Sequence, residues 1–341
     1  MIVQALSAAY GSAATLRRQW YARPGRARRL TQPVISIGNL SVGGSGKTPA
    51  AATIARALLA AGEQPVILSR GYGRRVNAPG VTVVSDRTAV RTDLAHAGDE
   101  PLLLARLLPG VPVLVCSTRY DAGRDAERAH GATVHILDDG FQHVALARDV
   151  DVLLLSEHDL ADRVLPAGRL REPVANAALA HAAIVPGASP GQALALAARA
   201  GLTTAFGAQR VLDTPRPVGG GTGSGADPFT PGARALALAG IARPERFFDD
   251  LRGAGYNVIG TRVFADHHAF TPADVASVVE AARAAGADVV LTTEKDAVRL
   301  EDLTTASLPW FAVPLTLRID PADAFRDWLT AKVTSARQER G

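Results

Sequence analysis

A run of small residues that ends in a lysine and a threonine is the segment best suited to chemistry. The residues Ser41-Val-Gly-Gly-Ser-Gly-Lys-Thr48 follow the apolar run Val34–Ile37, which is typical of a strand, and precede an alanine-rich stretch typical of a helix. Glycines let successive backbone N–H groups approach phosphate oxygens, and a helix start favours negative charge. Strand, glycine-rich turn, Gly-Lys-Thr and helix form the pattern of the P-loop. The segment predicts a site for the phosphates of a nucleoside triphosphate.

Within this loop, Lys47 is expected to bridge the β- and γ-phosphates, and the Thr48 hydroxyl is expected to coordinate magnesium. The first glycine of the usual pattern is replaced by Ser41. The residues predicted to bind the nucleotide are Ser41, Val42, Gly43, Gly44, Ser45, Gly46, Lys47 and Thr48.

A second set of polar residues follows the apolar run that ends in Asp138. We expect Asp138 at the carboxyl end of a core strand beside the P-loop, where it would hold the metal directly or through water. Asp139, Gln142 and His143 come next, in a loop at the sheet edge where ligands bind in open α/β folds. Paired acids after a strand can also cap a helix. With a P-loop upstream, metal binding is the favoured interpretation.

Transfer of a phosphoryl group to an alcohol needs a group that orients and deprotonates the hydroxyl. Asp99 and Glu100 begin a predicted helix, where acids also serve as ordinary caps. Far downstream, Asp266-His-His268 places two histidines beside an acid in a predicted loop of a second lobe. Closure of the lobes would bring these histidines over the γ-phosphate. Proteins that read guanine use the motif Asn-Lys-x-Asp, but in Thr292-Thr-Glu-Lys-Asp296 the acid directly follows the lysine, so guanine specificity is unsupported. The roles open to Lys295 are a nucleotide contact and an internal ion pair.

The elements that must position these residues alternate between short β-rich runs and helical stretches from residue 33 onward. This order predicts an α/β fold, P-loop NTPase-like, with a mainly parallel sheet and helices on both faces. The 341 residues suit two domains. We predict a core domain over 31–217, a glycine-rich linker over 218–229 and a smaller α/β lobe over 230–341.

The first 30 residues form a separate basic, amphipathic region. No Asp or Glu precedes Glu63, and apolar residues from Ile2 to Trp20 recur at helical spacing. Such a helix fits a membrane surface, with its arginines at headgroup level. The alternative is a helix packed on its own domain with a solvated basic tail. No apolar run is long enough to predict a spanning helix, and the single cysteine, Cys116, suits a reducing compartment.

Taken together, these motifs resemble the tetraacyldisaccharide 4'-kinase family, the lipid A 4'-kinases of Gram-negative bacteria. The resemblance runs through most of the chain, in family order. The motifs that carry it are Ile37–Pro49, Leu68–Arg74, Gly98–Pro101, Leu137–His143, Leu165–Pro173, Ala239–Ala242, Phe264–Phe270 and Thr292–Ala297.

The resemblance implies transfer of the γ-phosphoryl group of ATP, assisted by Mg²⁺, to the 4'-hydroxyl of a tetraacylated glucosamine disaccharide 1-phosphate. It implies that Asp99 pairs with a histidine, most simply His267, and that Glu100, Asp138 and Asp139 complete the catalytic and metal environment. It also implies peripheral attachment to the cytoplasmic face of the inner membrane. Neither a nucleic acid nor an obligate protein partner is expected.

The arginines of the resembling loops are candidates for the substrate's 1-phosphate, because guanidinium groups make bidentate contacts with phosphate. Surface ion pairing is their alternative role. The predicted substrate-binding residues are Arg70, Arg74, Gln142, His143, Arg169 and Arg171. Two other functions are the alternatives: a P-loop switch or metallochaperone-type regulator that acts on a protein partner, and a nucleic-acid-binding ATPase. No recognition motif supports the latter.

Overall fold

The computed structural model describes residues 1–44, 46–219, 229–303 and 308–340. Within these ranges the strands are β1 (Val34–Asn39), β2 (Pro65–Ser69), β3 (Thr82–Ser85), β4 (Val113–Val115), β5 (Val134–Asp138), β6 (Val150–Leu154), β7 (Ala182–Pro186), β8 (Ala205–Leu212), β9 (Arg216–Pro217), β10 (Ala235–Ala239), β11 (Val258–Val263), β12 (Val289–Thr293), β13 (Trp310–Val313) and β14 (Leu315–Asp320).

The helices are α1 (Ile2–Ala22), α2 (Lys47–Ala60), α3 (Leu94–Ala97), α4 (Asp99–Leu107), α5 (Arg119–Ala129), α6 (Glu157–Ala161), α7 (Pro190–Arg199), α8 (Pro244–Gly253), α9 (Pro272–Ala285), α10 (Glu294–Leu300) and α11 (Ala322–Gln338), with a 3-10 helix at Val174–Leu179.

The larger sheet has the order β14-β8-β7-β6-β1-β5-β2-β4-β3 among the described residues. Its central strand β1 pairs in parallel with β5 on one side and β6 on the other. All six residues of β1 are buried, as expected for a parallel strand covered on both faces. Because Ile37 lies opposite Asp138 in the register, the loop after β1 and the acids after β5 meet at one sheet edge.

The smaller sheet has the order β11-β10-β12-β13-β9 among the described residues. The chain leaves the larger sheet after β8 and returns to it through β14, which pairs antiparallel with β8. The prediction that the smaller lobe runs to residue 341 is therefore corrected, because β14 belongs to the larger sheet and α11 buries Phe325, Leu329 and Val333 in the core of that sheet. Of the predicted linker 218–229, residues 220–228 lie outside the described residues, and Val218 is buried in the smaller lobe.

Helix α1 spans the amphipathic region expected from the sequence. Its apolar side chains are largely exposed, and its two buried residues are Gly11 and Arg18. In the part of the chain that the structure describes, no helix is long and apolar enough to cross a membrane. The exposed apolar residues of α1 are Ile2, Val3, Leu6, Tyr10, Leu16 and Trp20.

Candidate active site

The loop between β1 and α2 forms the floor of the site. Lys47 opens α2 and donates from Nζ to the Asn39 side-chain oxygen at 3.0 Å. The same Nζ lies 3.6 Å from Asp139. These contacts hold the cation between the ends of β1 and β5, in the place that the P-loop pattern predicts. Ser45, one of the predicted nucleotide ligands, lies outside the described residues.

Asp138 ends β5 with its side chain buried. Its Oδ1 has no hydrogen-bond partner among the described residues. Burial raises the pKa of Asp138 to about 7, with further rises from Glu100 and Asp139 and opposition from Lys47 and Arg119. A buried, unpartnered carboxylate oxygen is suited to a hard cation.

The donor set near Asp138 is sparse. The described residues hold no group of three or more His, Cys, Asp or Glu side chains that could hold a metal ion. Mg²⁺ is a cation that proteins bind through one or two carboxylates together with waters and substrate phosphates. Thr48, the second residue of α2, and Asp138 are the residues that would hold it.

Asp139 turns toward the P-loop from a positive backbone φ of 53°, which Asp tolerates better than most residues. Arg171 donates to its two carboxylate oxygens at 2.9 and 3.1 Å. Burial disfavours the charged form, but Lys47 and Arg171 outweigh it and hold the pKa of Asp139 below its ordinary value. Arg171 also donates to the Asn39 side chain at 2.8 Å. Arg171 therefore contacts the phosphate loop, where it also donates to the Ser41 carbonyl at 3.2 Å.

Asp99 and His267 meet across the two lobes. Asp99 is the first residue of α4, and His267 belongs to the loop after β11. Nδ1 of His267 lies 2.9 Å from Oδ2 of Asp99, which is 4% exposed. The sequence left open which histidine faces this acid; Nε2 of His268 instead lies 3.1 Å from Asp274. Burial opposes ionisation of Asp99, but His267 and Lys295 together hold its pKa below the ordinary value.

The backbone just before Asp99 requires glycine. Gly98 has a φ of 84° and a ψ of 161°, a region open essentially to glycine alone. A Cβ at this position would lie 2.6 Å from the Tyr72 carbonyl oxygen. Gly98 therefore lets the loop that carries Tyr72 approach the start of α4, next to the Asp99–His267 pair.

Lys295, whose role the sequence left open, lies inside this cluster. Its Nζ is 3.1 Å from Glu100 and 3.5 Å from Asp266. Burial works against the ammonium, yet Glu100, Asp99 and Asp266 raise the pKa of Lys295 above its ordinary value. Lys295 thus forms an internal ion-pair network between the lobes.

A basic cluster that contains His143 and Arg119 lies near Asp138. His143 is half-buried, and burial together with Arg119, Arg148 and Arg17 lowers its pKa to about 4. Arg119 is 6% exposed, its Nε has no hydrogen-bond partner among the described residues, and burial and Arg70 lower its pKa to about 10. Unpartnered buried donors of this kind are suited to an anion.

The remaining residues predicted to bind the substrate differ in exposure and in whether their donor groups already have a hydrogen-bond partner. Arg74 has a buried, unpartnered Nη1 in the described part of the chain, whereas Arg70 is exposed. Arg169 donates to the Val42 carbonyl at 3.1 Å and Gln142 to the Asn39 carbonyl at 3.0 Å. The latter two therefore brace the phosphate loop in this structure.

Known proteins resemble the chain over nearly its whole length. The family described as tetraacyldisaccharide-1-P 4'-kinase matches residues 1–334. The chain belongs to this family. The tetraacyldisaccharide 4'-kinase of Geobacter sulfurreducens is 39% identical over 325 residues, which cover 93% of this chain and 89% of the relative. The enzyme of the same name from Koribacter versatilis is 36% identical over 340 residues, 98% of this chain and 99% of the relative.

A solved structure supports the same assignment. The crystal structure of LpxK from Aquifex aeolicus in complex with ATP is 30% identical to this chain, with a TM-score of 0.74. The match covers 98% of this chain and 99% of that one. The family resemblance, the P-loop α/β fold class and the kinase class expected from the sequence are thereby confirmed.

Two residues of this tetraacyldisaccharide-1-P 4'-kinase family member were missed by sequence reasoning. Arg119 follows β4, so the rule that drew attention to Asp138, polar residues just after a parallel strand, would also have found it. Glu172, which is 4% exposed, lies within the Leu165–Pro173 motif, but nothing in that motif indicated its partner. Its partner Arg18 lies more than a hundred residues upstream, in α1.

Proposed function

We propose that this chain transfers the γ-phosphoryl group of ATP to the 4'-hydroxyl of a tetraacylated glucosamine disaccharide 1-phosphate. The single observation that carries the proposal is the contact of Asp99 with His267 across the lobes, 2.9 Å long. A nucleotide switch has no need of a carboxylate–imidazole pair beside its phosphate site. A kinase needs it to take the proton of the attacking hydroxyl.

In this mechanism the 4'-hydroxyl loses its proton to the Asp99 carboxylate, which His267 orients, as its oxygen bonds to the γ-phosphorus. The bond from that phosphorus to the β,γ-bridging oxygen breaks, and ADP leaves with the electron pair. Lys47, held by Asn39 and close to Asp139, faces the phosphates and offsets the charge that moves toward the leaving group.

The buried Asp138 carboxylate and the Thr48 hydroxyl are the proposed holders of Mg²⁺. Bound there, Mg²⁺ would supply positive charge that offsets the charge developing on the phosphates during transfer. Asp139 carries a different task, because Arg171 and Lys47 already pair with it. We assign it to orienting the P-loop cation.

We assign recognition of the acceptor to the cluster of basic side chains around Arg119 and His143. The buried Arg119 Nε and Arg74 Nη1 are donors with no partner among the described residues, and a phosphate monoester would satisfy them. Arg70 and Arg17 add positive charge around His143. These groups suit the 1-phosphate of the disaccharide better than Arg169, which donates to the Val42 carbonyl.

Helix α1 is the proposed contact with the inner membrane, at its cytoplasmic face. Its exposed apolar side chains, such as Leu6 and Leu16, lie beside a basic segment, and this combination favours an anionic lipid surface. Peripheral attachment would present the hydroxyl of a lipid acceptor to the site without a spanning segment.

The deciding experiment incubates the protein with labelled ATP, Mg²⁺ and tetraacyldisaccharide 1-phosphate in detergent and looks for a bisphosphorylated lipid. We expect product with the wild type and with Lys332→Ala, and none with Lys47→Ala or Asp99→Ala. No lipid product from the folded wild type would reject the proposal. Turnover retained in both site variants would reject the mechanism. A regulator acting on a protein partner would instead hydrolyse ATP and ignore the lipid.

A further inference from the structure

Arg18 is the buried charged side chain of an otherwise exposed helix. It is 8% exposed, and with Gly11 it is one of the two buried residues of α1. Its Nε and Nη2 donate to the two carboxylate oxygens of Glu172 at 2.9 and 2.8 Å. Nη2 also donates to the Phe141 carbonyl at 2.7 Å, and the guanidinium carbon lies 4.3 Å from the centre of the Phe141 ring.

Both partners of Arg18 adjoin the phosphate site. Phe141 is fully buried in the loop that begins with Asp138 and Asp139. This loop fits tightly on β1, because a Cβ on Gly38 would lie 2.5 Å from the Phe141 Cβ. The Phe141 carbonyl that Arg18 contacts therefore belongs to a backbone segment that packs directly on β1, two residues after Asp139.

Glu172 provides the second connection, since it directly follows Arg171. Arg171 holds Asp139 and the Asn39 side chain, and the same Asn39 oxygen accepts a hydrogen bond from Lys47. Two sets of charge-assisted contacts, Arg18 with Glu172 and Arg171 with Asp139 and Asn39, are thus joined by the Arg171–Glu172 peptide bond and connect α1 to the cation of the P-loop. Arg17 adds a weaker, exposed contact from α1 to the Gln142 carbonyl at 3.0 Å.

The energetics of this pair point away from simple stabilisation. A buried ion pair contributes little net stability relative to well-packed apolar residues, because both charges lose hydration. The Arg18 guanidinium instead donates to one carboxylate and one carbonyl in a fixed orientation, which an apolar side chain cannot do.

We propose that Arg18 is a positioning residue, through which the seating of α1 on the core sets the placement of Asp139, Arg171 and Lys47. The proposal rests on the proposed function for its kinetic readout. Under this proposal the rate of phosphoryl transfer depends on how α1 packs on the core. This role of α1 is separate from any role in binding the enzyme to a lipid surface.

The kinetic test compares Arg18→Lys, Arg18→Gln, Glu172→Gln and the double variant Arg18→Gln/Glu172→Gln in detergent, where recruitment to a membrane plays no part. We expect kcat to fall about ten- to a hundredfold in each, because misplacement of about 1 Å has an effect of this order. The KM for the lipid should change by less than about twofold. The double variant should be no slower than the slower single variant, since the two residues act as one unit.

Arg340 offers a matched control at the opposite end of β1. Its half-buried guanidinium also pairs with a carboxylate, Asp149, and donates to the carbonyls of Leu30 and Thr31 at 2.8 Å each. Arg340→Gln should lower the melting temperature and leave kcat unchanged. If kcat falls as much in Arg340→Gln as in Arg18→Gln, the loss is explained by lower overall stability of the protein, and the proposal is overturned.

Hydrogen–deuterium exchange gives a readout that does not need the lipid reaction. We expect amides 139–143 to exchange faster in Arg18→Lys and Arg18→Gln, and at the wild-type rate in Arg340→Gln. If the wild type does not phosphorylate the lipid, the exchange measurement by itself still tests whether Arg18 positions residues 139–143. If Arg18→Lys folds and shows the wild-type exchange rate and the wild-type kcat, the proposal is overturned. If Arg18→Gln does not fold, the result for Arg18→Lys decides the question.

Discussion

Nζ of Lys295 lies 3.1 Å from Nε2 of His267. Because an ammonium group only donates hydrogen bonds, Nε2 accepts here, and Nδ1 carries the N–H of the ring. That N–H then donates to Asp99 at 2.9 Å. Lysine, imidazole and carboxylate therefore form one oriented chain in which Lys295 selects the tautomer of His267.

Replacement of Lys295 by Gln should slow the reaction and change its pH dependence. Lys295 helps to hold the pKa of Asp99 below its ordinary value, so its loss should raise that pKa and move the acidic limb of the pH–rate profile to higher pH. We expect kcat to fall about tenfold or more, with ATP affinity retained. Lys332→Gln, on α11, is the control; an unchanged acidic limb in Lys295→Gln would contradict the assigned network.

The two adjacent histidines should differ sharply in their effect. His267→Asn removes the partner of Asp99 and should lower kcat by about 10² to 10⁴, the usual contribution of general acid–base catalysis. His268 contacts Asp274 instead, so His268→Asn should retain most of the activity. Single-turnover measurements with saturating ATP would separate the effect on chemistry from any effect on nucleotide binding. Equal losses in both variants would show that the pair acts only through loop structure.

Asp138 should make the metal-free protein less stable as the pH rises. Its folded pKa of about 7 lies above its unfolded value of about 3.9. The stability that it contributes is therefore full below the unfolded pKa and is lost as the pH rises through the folded pKa. Thermal melts in EDTA should show this fall, and Asp138→Asn should flatten it while abolishing lipid phosphorylation. A melting profile identical to that of the wild type would contradict the raised pKa.

Gly98→Ala should lower both stability and kcat. The new methyl group would meet the Tyr72 carbonyl in a backbone conformation that alanine avoids, a strain of about 1–3 kcal/mol. Since Asp99 follows directly, part of the relaxation should move the catalytic carboxylate. Gly131→Ala is the matched control, because Gly131 also has a positive φ of 57° but open space around its Cβ. Denaturant titration and steady-state kinetics would test both variants.

Polar substitutions on α1 should weaken membrane binding without affecting nucleotide binding. Leu6 and Leu16 are 54% and 64% exposed, and Leu6→Gln/Leu16→Gln should weaken binding to anionic vesicles about tenfold. Leu194→Gln, at a leucine of α7 that is 48% exposed, should have no effect. Vesicle cosedimentation at two salt concentrations would measure the apolar and electrostatic contributions. Equal binding by all variants would exclude α1 as the contact.

The features that could be predicted from the sequence are those with local signals. The phosphate loop is contiguous, and Asp138 stands at the end of an apolar run, so a short window of residues predicted the position of each. The Asp99–His267 contact needed two separated motifs and the family resemblance. These signals were sufficient because strand ends in a parallel sheet converge on one edge.

The features that could not be predicted depend on contacts between distant parts of the chain. The pairing of Arg18 with Glu172 and of Lys295 with Glu100 joins segments that have no shared pattern. The return of the chain to the larger sheet was missed for the same reason, since residues 315–320 form an ordinary strand pattern whose partner lies about a hundred residues earlier.

The antiparallel pairing of β8 with β14 has a consequence for the order of folding. Leu212 and Leu315 are direct partners, so the whole intervening segment leaves and re-enters the larger sheet at one point. During synthesis, β8 emerges with an unpaired edge and keeps it until the smaller lobe has been made. A nascent chain that stalls within that lobe would leave the edge of β8 available to other chains, and synthesis past residue 320 lets β14 cover that edge.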